Sequence, residues 1–211
     1  MIAVSSLRNF EDRSHPYSRN QINAHASWTE VFDFIVYFNA HEQPEMRNSK
    51  TRFIPSEEFP RIVDLCEFCG SQQEWCCIVN ADIIVTKSMK RIESALKTRH
   101  AWAASSWRHE FDPEVGIEPC SRVDNGLDFF AAIPSIWSKI YHDVSPELRL
   151  GSITWDSWML GWFSMHAQSA FYDLTPSKVI RHPKHEHRAY GPVPPPVHFH
   201  GWPVMSAVTI S

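Results

Sequence analysis

Glycine is scarce in this 211-residue chain: seven residues, none of them arranged as GxGxxG or GxxxxGK[ST]. The two commonest glycine-rich loops that cradle phosphate at a helix N-terminus are thereby excluded. No run of 18 apolar residues occurs, so no membrane-spanning helix is expected. The opening MIAVSSLRNFEDR puts no positive cluster ahead of an apolar core, and we expect a cytoplasmic protein with no secretory signal and no membrane partner. An excess of basic charge is missing too. Twenty Lys and Arg face 24 Asp and Glu, and the formal net charge of −4 argues against nucleic-acid binding through bulk charge. Cysteine is sparse and odd in number, five in all, so reduced thiols are the expectation. Cys66 and Cys69 form a CxxC, but no second pair stands at metal-finger spacing, and they share one helical stripe with Ile62 and Leu65. That pattern favours buried thiols on an amphipathic helix over a metal or redox site.

What is present is ordinary globular material: 43% hydrophobic and 21% charged residues, in a chain long enough to bury about 70% of its unfolded surface. Apolar, β-branched runs at Ile2 to Ser6, Phe34 to Phe38, Thr51 to Ile54, Trp75 to Val79 and Ala101 to Trp107 read as strands. Helical stretches fall between them, at Tyr17 to Glu30, at 58–73 and at Ser88 to Thr98 with Ser88 as N-cap. This alternation predicts an α/β fold of Rossmann-like, doubly wound type, with a mainly parallel central sheet flanked by helices. Further on, Leu127 to Ile133 reads as a strand, Pro134 to Tyr141 as a helix and Trp155 to His166 as a Trp-rich helix. From Tyr190 to Pro203 seven Pro or Gly residues punctuate the chain. We therefore expect one domain over residues 1–190 and an extended Pro-rich tail over 191–211.

In an open α/β sheet ligands sit beyond the carboxyl ends of the strands. That rule selects Ser5, Ser6, Arg8, Asn39, Arg52, Asn80, Asp82 and Arg108. Asp82 follows an apolar strand, and its carboxylate either closes a turn or emerges into a site. A hard divalent cation needs only one or two such carboxylates when a substrate diphosphate supplies further oxygens. Asp156 stands between Trp155 and Trp158 at a helix start, where it either complements the helix dipole or accepts a proton from a hydroxyl nucleophile. His182, His185 and His187 are interleaved with Lys184 and Arg188, a spacing suited to a metal or to phosphate, or to a solvated loop.

Six segments, taken in order, resemble a small GT-A-fold glycosyltransferase. Ile2 to Ser6 is similar to the nucleotide-binding first strand, and Arg19 to Trp28 to the R-x-Q-x-x-A-x-x-S-W helix of one such group. Asn80-Ala81-Asp82 resembles an NxD version of the DxD metal motif, and Gly126 to Phe130 the GxDxF segment. Gly151 to Met159 resembles IGRxxWDNWL, with Ser152 where that motif has Arg. Asp173-Leu174-Thr175 with His182-Pro183-Lys184-His185 resembles a closing D-x-T … H-Q-x-H, with Pro183 in place of Gln.

The resemblance implies a transferase that moves a sugar from a nucleotide-diphosphate donor, a UDP-sugar by expectation, with Mn²⁺ or Mg²⁺. Asp82, with His182 or His185, would hold the metal. Ser5, Ser6, Arg8, Arg19, Asn39, Asn80 and Lys184 would bind the donor. Asp156 would be the general base of an inverting enzyme, or orient substrate in a retaining one, and Asp128 would meet sugar or acceptor hydroxyls. Trp107, Trp155 and Trp158 offer faces for a sugar or base, with core packing the better expectation for at least one. The implied acceptor carries a free hydroxyl: a saccharide, a protein, or a hydroxymethylated base in viral DNA, the last suggested by the local cations Lys178, Arg181, Lys184 and Arg188. The absence of a stem and membrane helix points to a bacterial or viral cytosolic enzyme. A nucleotidyltransferase on a similar sheet and an inert nucleotide-sugar-binding module are the competing readings.

Overall fold

The computed structural model describes residues 1–8, 16–39, 42–57, 59–116, 123–152, 154–184 and 206–207. Strands β1 (Ile2–Ser5), β2 (Phe34–Asn39), β3 (Thr51–Pro55) and β4 (Cys76–Val79) lie parallel in the order β3-β2-β1-β4. The near-continuous apolar character of β1, β2 and β4 follows from burial on both faces, whereas β3, at the sheet edge, is mixed in polarity and partly exposed. Val36, Phe38, Cys76 and Ile78 point into one core, which they share with helices α2 (Ile62–Gly70), α4 (Pro134–Asp143) and α5 (Trp155–His166). Ile35, Tyr37, Cys77 and Val79 alternate into the other, against α1 (Pro16–Val31) and α3 (Met89–Thr98). The helices thus cover both faces of one sheet, the doubly wound arrangement the sequence predicts.

Beyond β4 the direction changes. Strand β7 (Val123–Ala132) runs antiparallel both to β4 and to β6 (Ala103–Phe111). The first part of β6 carries β8 (Phe171–Asp173) and its last part β9 (Ile180–Pro183), both in parallel. Strand β5 (Ile84–Val85) pairs antiparallel with β9. At the far edge β10 (Ser206–Ala207) runs parallel to β8, so this part of the expected irregular tail joins the sheet. The remaining residues of that tail lie outside the described ones. Two local expectations are corrected. The helix expected over 58–73 is only Ile62–Gly70, because residues 59–61 run extended: Arg61 bridges to Arg149, and the Ile62 amide donates to the Leu148 carbonyl at 2.8 Å. Ser88 precedes α3 but makes no side-chain cap, its own backbone being already helical at φ −60°, ψ −20°.

The pairing of β6 with β7 is irregular. Ser106 faces Phe129, yet the next residue, Trp107, faces Leu127, so Asp128 is an extra residue on β7. Such a bulge re-aims side chains and interrupts the ladder. The Trp107 amide is satisfied from outside the β6–β7 pair: it donates to Thr175 Oγ1 at 2.9 Å. Thr175 is in turn fixed by Asp173 Oδ1, which accepts from both the Thr175 amide and its hydroxyl. The D-x-T segment therefore fastens the β8 edge of β6, across that strand from the bulge. Thr175→Val, which keeps the shape and deletes the hydroxyl, should lower stability by about 1–3 kcal/mol, as expected for a partly buried amide left unpaired. Thr175→Ser should restore most of that loss; denaturant unfolding of the two variants reads the difference.

Candidate functional site

The carboxyl end of β4 opens into a turn, closed by the Ile83 amide donating to the Asn80 carbonyl at 3.2 Å. Asn80 faces the bulge: its amide donates to the Asp128 carbonyl at 3.0 Å, and its side-chain nitrogen donates to Asp128 Oδ1. The other Asp128 oxygen accepts from Arg108 Nη1 at 2.7 Å, and both partners are nearly buried. Asp128, expected to meet sugar hydroxyls, thus has each carboxylate oxygen engaged within the protein.

Asp156 lies in the first turn of α5, beside β7. Its Oδ1 accepts from the Ser157 amide at 2.7 Å. Burial pushes its carboxyl up to about 6, and the neighbouring Asp128 charge adds to that, while the amides of Ser157 and Leu127 pull the other way. A carboxylate that takes and releases a proton near neutrality is suited to general-base work. Two residues after Asn80, Asp82 Oδ2 lies 3.4 Å from His182 Nε2, and His182, near the end of β9, is buried. His185 lies outside the described residues. Among the described residues no group of three His, Cys, Asp or Glu could hold a metal, so Asp82 and His182 stand as a pair.

The donor-side residues mostly shape loops. Ser5 Oγ is fully buried and donates to the Val79 carbonyl at 2.6 Å. Asn39 Oδ1 accepts from Ser6 Oγ and from the Leu7 amide, fastening the loop after β1 to the end of β2. The Arg8 amide donates to Gln21 Oε1 at 2.8 Å, and its guanidinium lies 5.9 Å from the Phe59 ring centroid. Arg8 also approaches Gly151, where a β-carbon would stand 3.3 Å from Nη2 and where φ is +84°. The left-handed backbone is what calls for glycine there; the Arg8 tip would have to give by only a few tenths of an ångström. Arg19 and Lys184 are exposed, the first on α1 and the second just past β9 with its amide on the Phe111 carbonyl.

Of the three tryptophans, Trp155 is 2% exposed and packs edge-on against Phe130 at 5.5 Å. Its ring faces are core, which corrects the expectation of an acceptor-facing surface. Trp107 and Trp158 are half-buried at the margin of the same core. Arg52 is exposed on the edge strand β3. The four described cysteines are buried free thiols, and burial raises those of Cys66, Cys69 and Cys77.

Sequence reasoning placed Arg108 at a strand end but gave it no partner, because Asp128 is twenty residues away across a bulged register. The readable sign was Gly126: an isolated glycine in a strand marks a close approach. A β-carbon there would sit 2.6 Å from the Arg108 guanidinium.

No family model matches the chain, and no curated protein does. Solved structures match it in fold. It is similar to S. aureus TarS 1-349 in complex with UDP-GlcNAc, with a TM-score of 0.56 and 11% identity over 89% of this chain and 59% of that one. It is also similar to a glucose-1-phosphate thymidylyltransferase from Bacillus anthracis in complex with a sucrose, with a TM-score of 0.50 and 9% identity over 82% and 86%. At such identities the likeness establishes the fold, which is GT-A-like and is shared by glycosyltransferases and nucleotidyltransferases. Among the described residues no helix is long and apolar enough to cross a membrane.

The elevated Asp156 carboxyl has a thermodynamic signature. Its ordinary value is 3.8 and its folded value about 6, so between the two the folded state holds the proton that the unfolded state has lost. Stability from this group therefore falls as pH rises from about 4 to about 6. Asp156→Asn should gain stability relative to the parent across that window and hold a constant difference above it. Melting temperatures at half-unit pH steps check this, and a difference independent of pH would count against a desolvated carboxyl.

Proposed function

We propose that this protein transfers a sugar from a nucleotide-diphosphate donor, a UDP-sugar, to a hydroxyl of a soluble acceptor. The observation that carries the reading is the order of groups at the carboxyl end of the sheet. Asp82 stands beside His182, Asn80 and Arg108 hold Asp128 between them, and Asp156, with its raised carboxyl, feels the Asp128 charge. A diphosphate approaching the strand ends would meet the first pair, and an acceptor hydroxyl would meet Asp156.

The donor set of Asp82 and His182 fits a divalent cation. One hard carboxylate oxygen and one imidazole nitrogen leave most of the coordination to diphosphate and water oxygens, and the imidazole favours Mn²⁺ over Mg²⁺. The cation's chemistry at such a place is neutralisation of charge on the leaving nucleotide. Asp156, once ionised, would accept the proton of the attacking hydroxyl. Arg8, lodged between Phe59 and Gly151, would face the donor as a cation, and Lys184 past β9 could approach phosphate from the other edge. Trp107 and Trp158 would border the acceptor space. Saccharide, protein and hydroxymethylated DNA are the acceptor classes to offer.

A second reading, a nucleotidyltransferase, is favoured by the placement of Asp128 on β7 directly beside β4, which brings a carboxylate of the neighbouring strand to the end of β4, where Asp82 follows. Product analysis separates the two. Release of UDP from a UDP-sugar with sugar transferred to acceptor supports the first; pyrophosphate released from a nucleoside triphosphate and a sugar 1-phosphate supports the second.

Two variants test the roles. Asp82→Ala should abolish the Mn²⁺-dependent part of UDP binding in calorimetry while leaving the melting temperature without metal nearly unchanged; undiminished metal-dependent binding would remove Asp82 from the site. Asp156→Asn should lose about 10²–10⁴ in turnover with donor affinity retained. Full activity in that variant would leave Asp156 as a helix-terminal carboxylate alone.

A further inference from the structure

Arg108 is a cation almost withdrawn from solvent, 12% exposed, and the chemistry above gives it no part. Three observations define how it is held. Its Nη1 donates to Asp128 Oδ2 at 2.7 Å. The opposite oxygen of Asp128 is taken by Asn80, so the carboxylate is fixed from both sides. Its guanidinium fills the place of the side chain that Gly126 lacks, with Cζ and Nε each 2.6 Å from where a β-carbon would stand. Gly126 is not among the glycines with positive φ, so its backbone does not demand glycine. What it provides is room.

Asp128 is also the charged group whose field reaches Asp156. Among the described residues the other groups bearing on Asp156 are uncharged: the amide of Leu127 on β7, and the amides of Ser157 and Asp156 and the Ser157 hydroxyl on its own helix. Because the Asp128 charge reaches Asp156 while Asp128 is paired to Arg108, the repulsion Asp156 experiences depends on how well that pair is made.

We propose that Arg108 is a positioning residue for Asp156: seated in the space Gly126 leaves, it clamps Asp128 and so sets how much of the Asp128 charge Asp156 feels. The inference rests on reading Asp156 as the base, and its test is chosen to be separable from that reading.

The measurement is a carbon NMR titration of aspartate carboxyls in the full chain, with Asp156 assigned by its loss in Asp156→Asn. Arg108→Met removes the cation and leaves the Asp128 charge uncompensated, so the Asp156 midpoint should rise by about half a unit or more, in the direction expected of a like charge. Gly126→Ala changes no functional group, yet forces the guanidinium aside; it should move the midpoint the same way. The Gly126→Ala/Arg108→Met double variant should shift no further than Arg108→Met alone, because the two substitutions act through one contact. Arg108→Lys, which keeps charge but loses the planar fork, should fall between. Gly126→Ala and Arg108→Lys keep the test decisive if Arg108→Met does not fold.

A midpoint within about 0.2 unit of the parent in these variants, with melting temperature lowered, would make the cluster a structural brace and overturn the proposal. Shifts that add in the double variant would overturn the role of Gly126 as the seat. If the midpoint moves as expected while the parent transfers no sugar to any acceptor, the positioning role stands and the glycosyltransferase reading falls.

Discussion

The hydrogen bond from the Trp107 amide to the Thr175 hydroxyl ties the β8 edge of β6 to the turn that follows β8, just where β6 and β7 on the other edge lose register by one residue. An N–H withdrawn from water and left unpaired is costly. Here the partner comes from the turn after β8, fixed by Asp173. The extra residue on β7 at that point is Asp128, and from Asp128 the rest of the site is set out: Asn80 on the β4 side, Arg108 on the β6 side, and Asp156 on α5 within reach of its charge.

The carboxylates of this strip are not equivalent, and environment separates them. Asp82 has a histidine beside it, Asp128 an arginine and an amide, and Asp156, half-buried, has uncharged donors: backbone amides and the Ser157 hydroxyl. Giving similar acids different partners is how one fold assigns them different work. The parallel strands contribute the frame, since their carboxyl ends converge on one rim of the sheet. The antiparallel β7 contributes the exception, bringing the middle of a strand, Leu127 and Asp128, to that same rim.

Strands β1, β2 and β4 were legible because burial on both faces demands unbroken apolar runs, and α5 was legible to the residue. Strands β8 and β9 were not. Phe171-Tyr172-Asp173 and Ile180-Arg181-His182-Pro183 are short, mixed in polarity and held by pairing to β6. The start of β7 was hidden for the same reason. Within the site, proximity to strand ends selected Asn39, Asn80 and Asp82 from pattern alone, and the Asp82–His182 neighbours lie within it. The Arg108–Asp128 pair depends on a bulge register that no local pattern encodes. Trp155 misled because a tryptophan beside an acid reads the same in sequence whether its ring is a platform or, as here, filling between Phe130 and the helix.

Cys76 and Cys77 sit side by side on the central strand β4, one facing each core, with Cys66 and Cys69 on α2 against the first. None reaches solvent in the closed fold. Each face of the sheet therefore contains its own chemical clock. An alkylating reagent can reach Cys77 only when the α1–α3 side lifts and Cys66 or Cys69 only when the α2 side does, so the order in which these sulfurs are capped records which layer of the molecule breathes first.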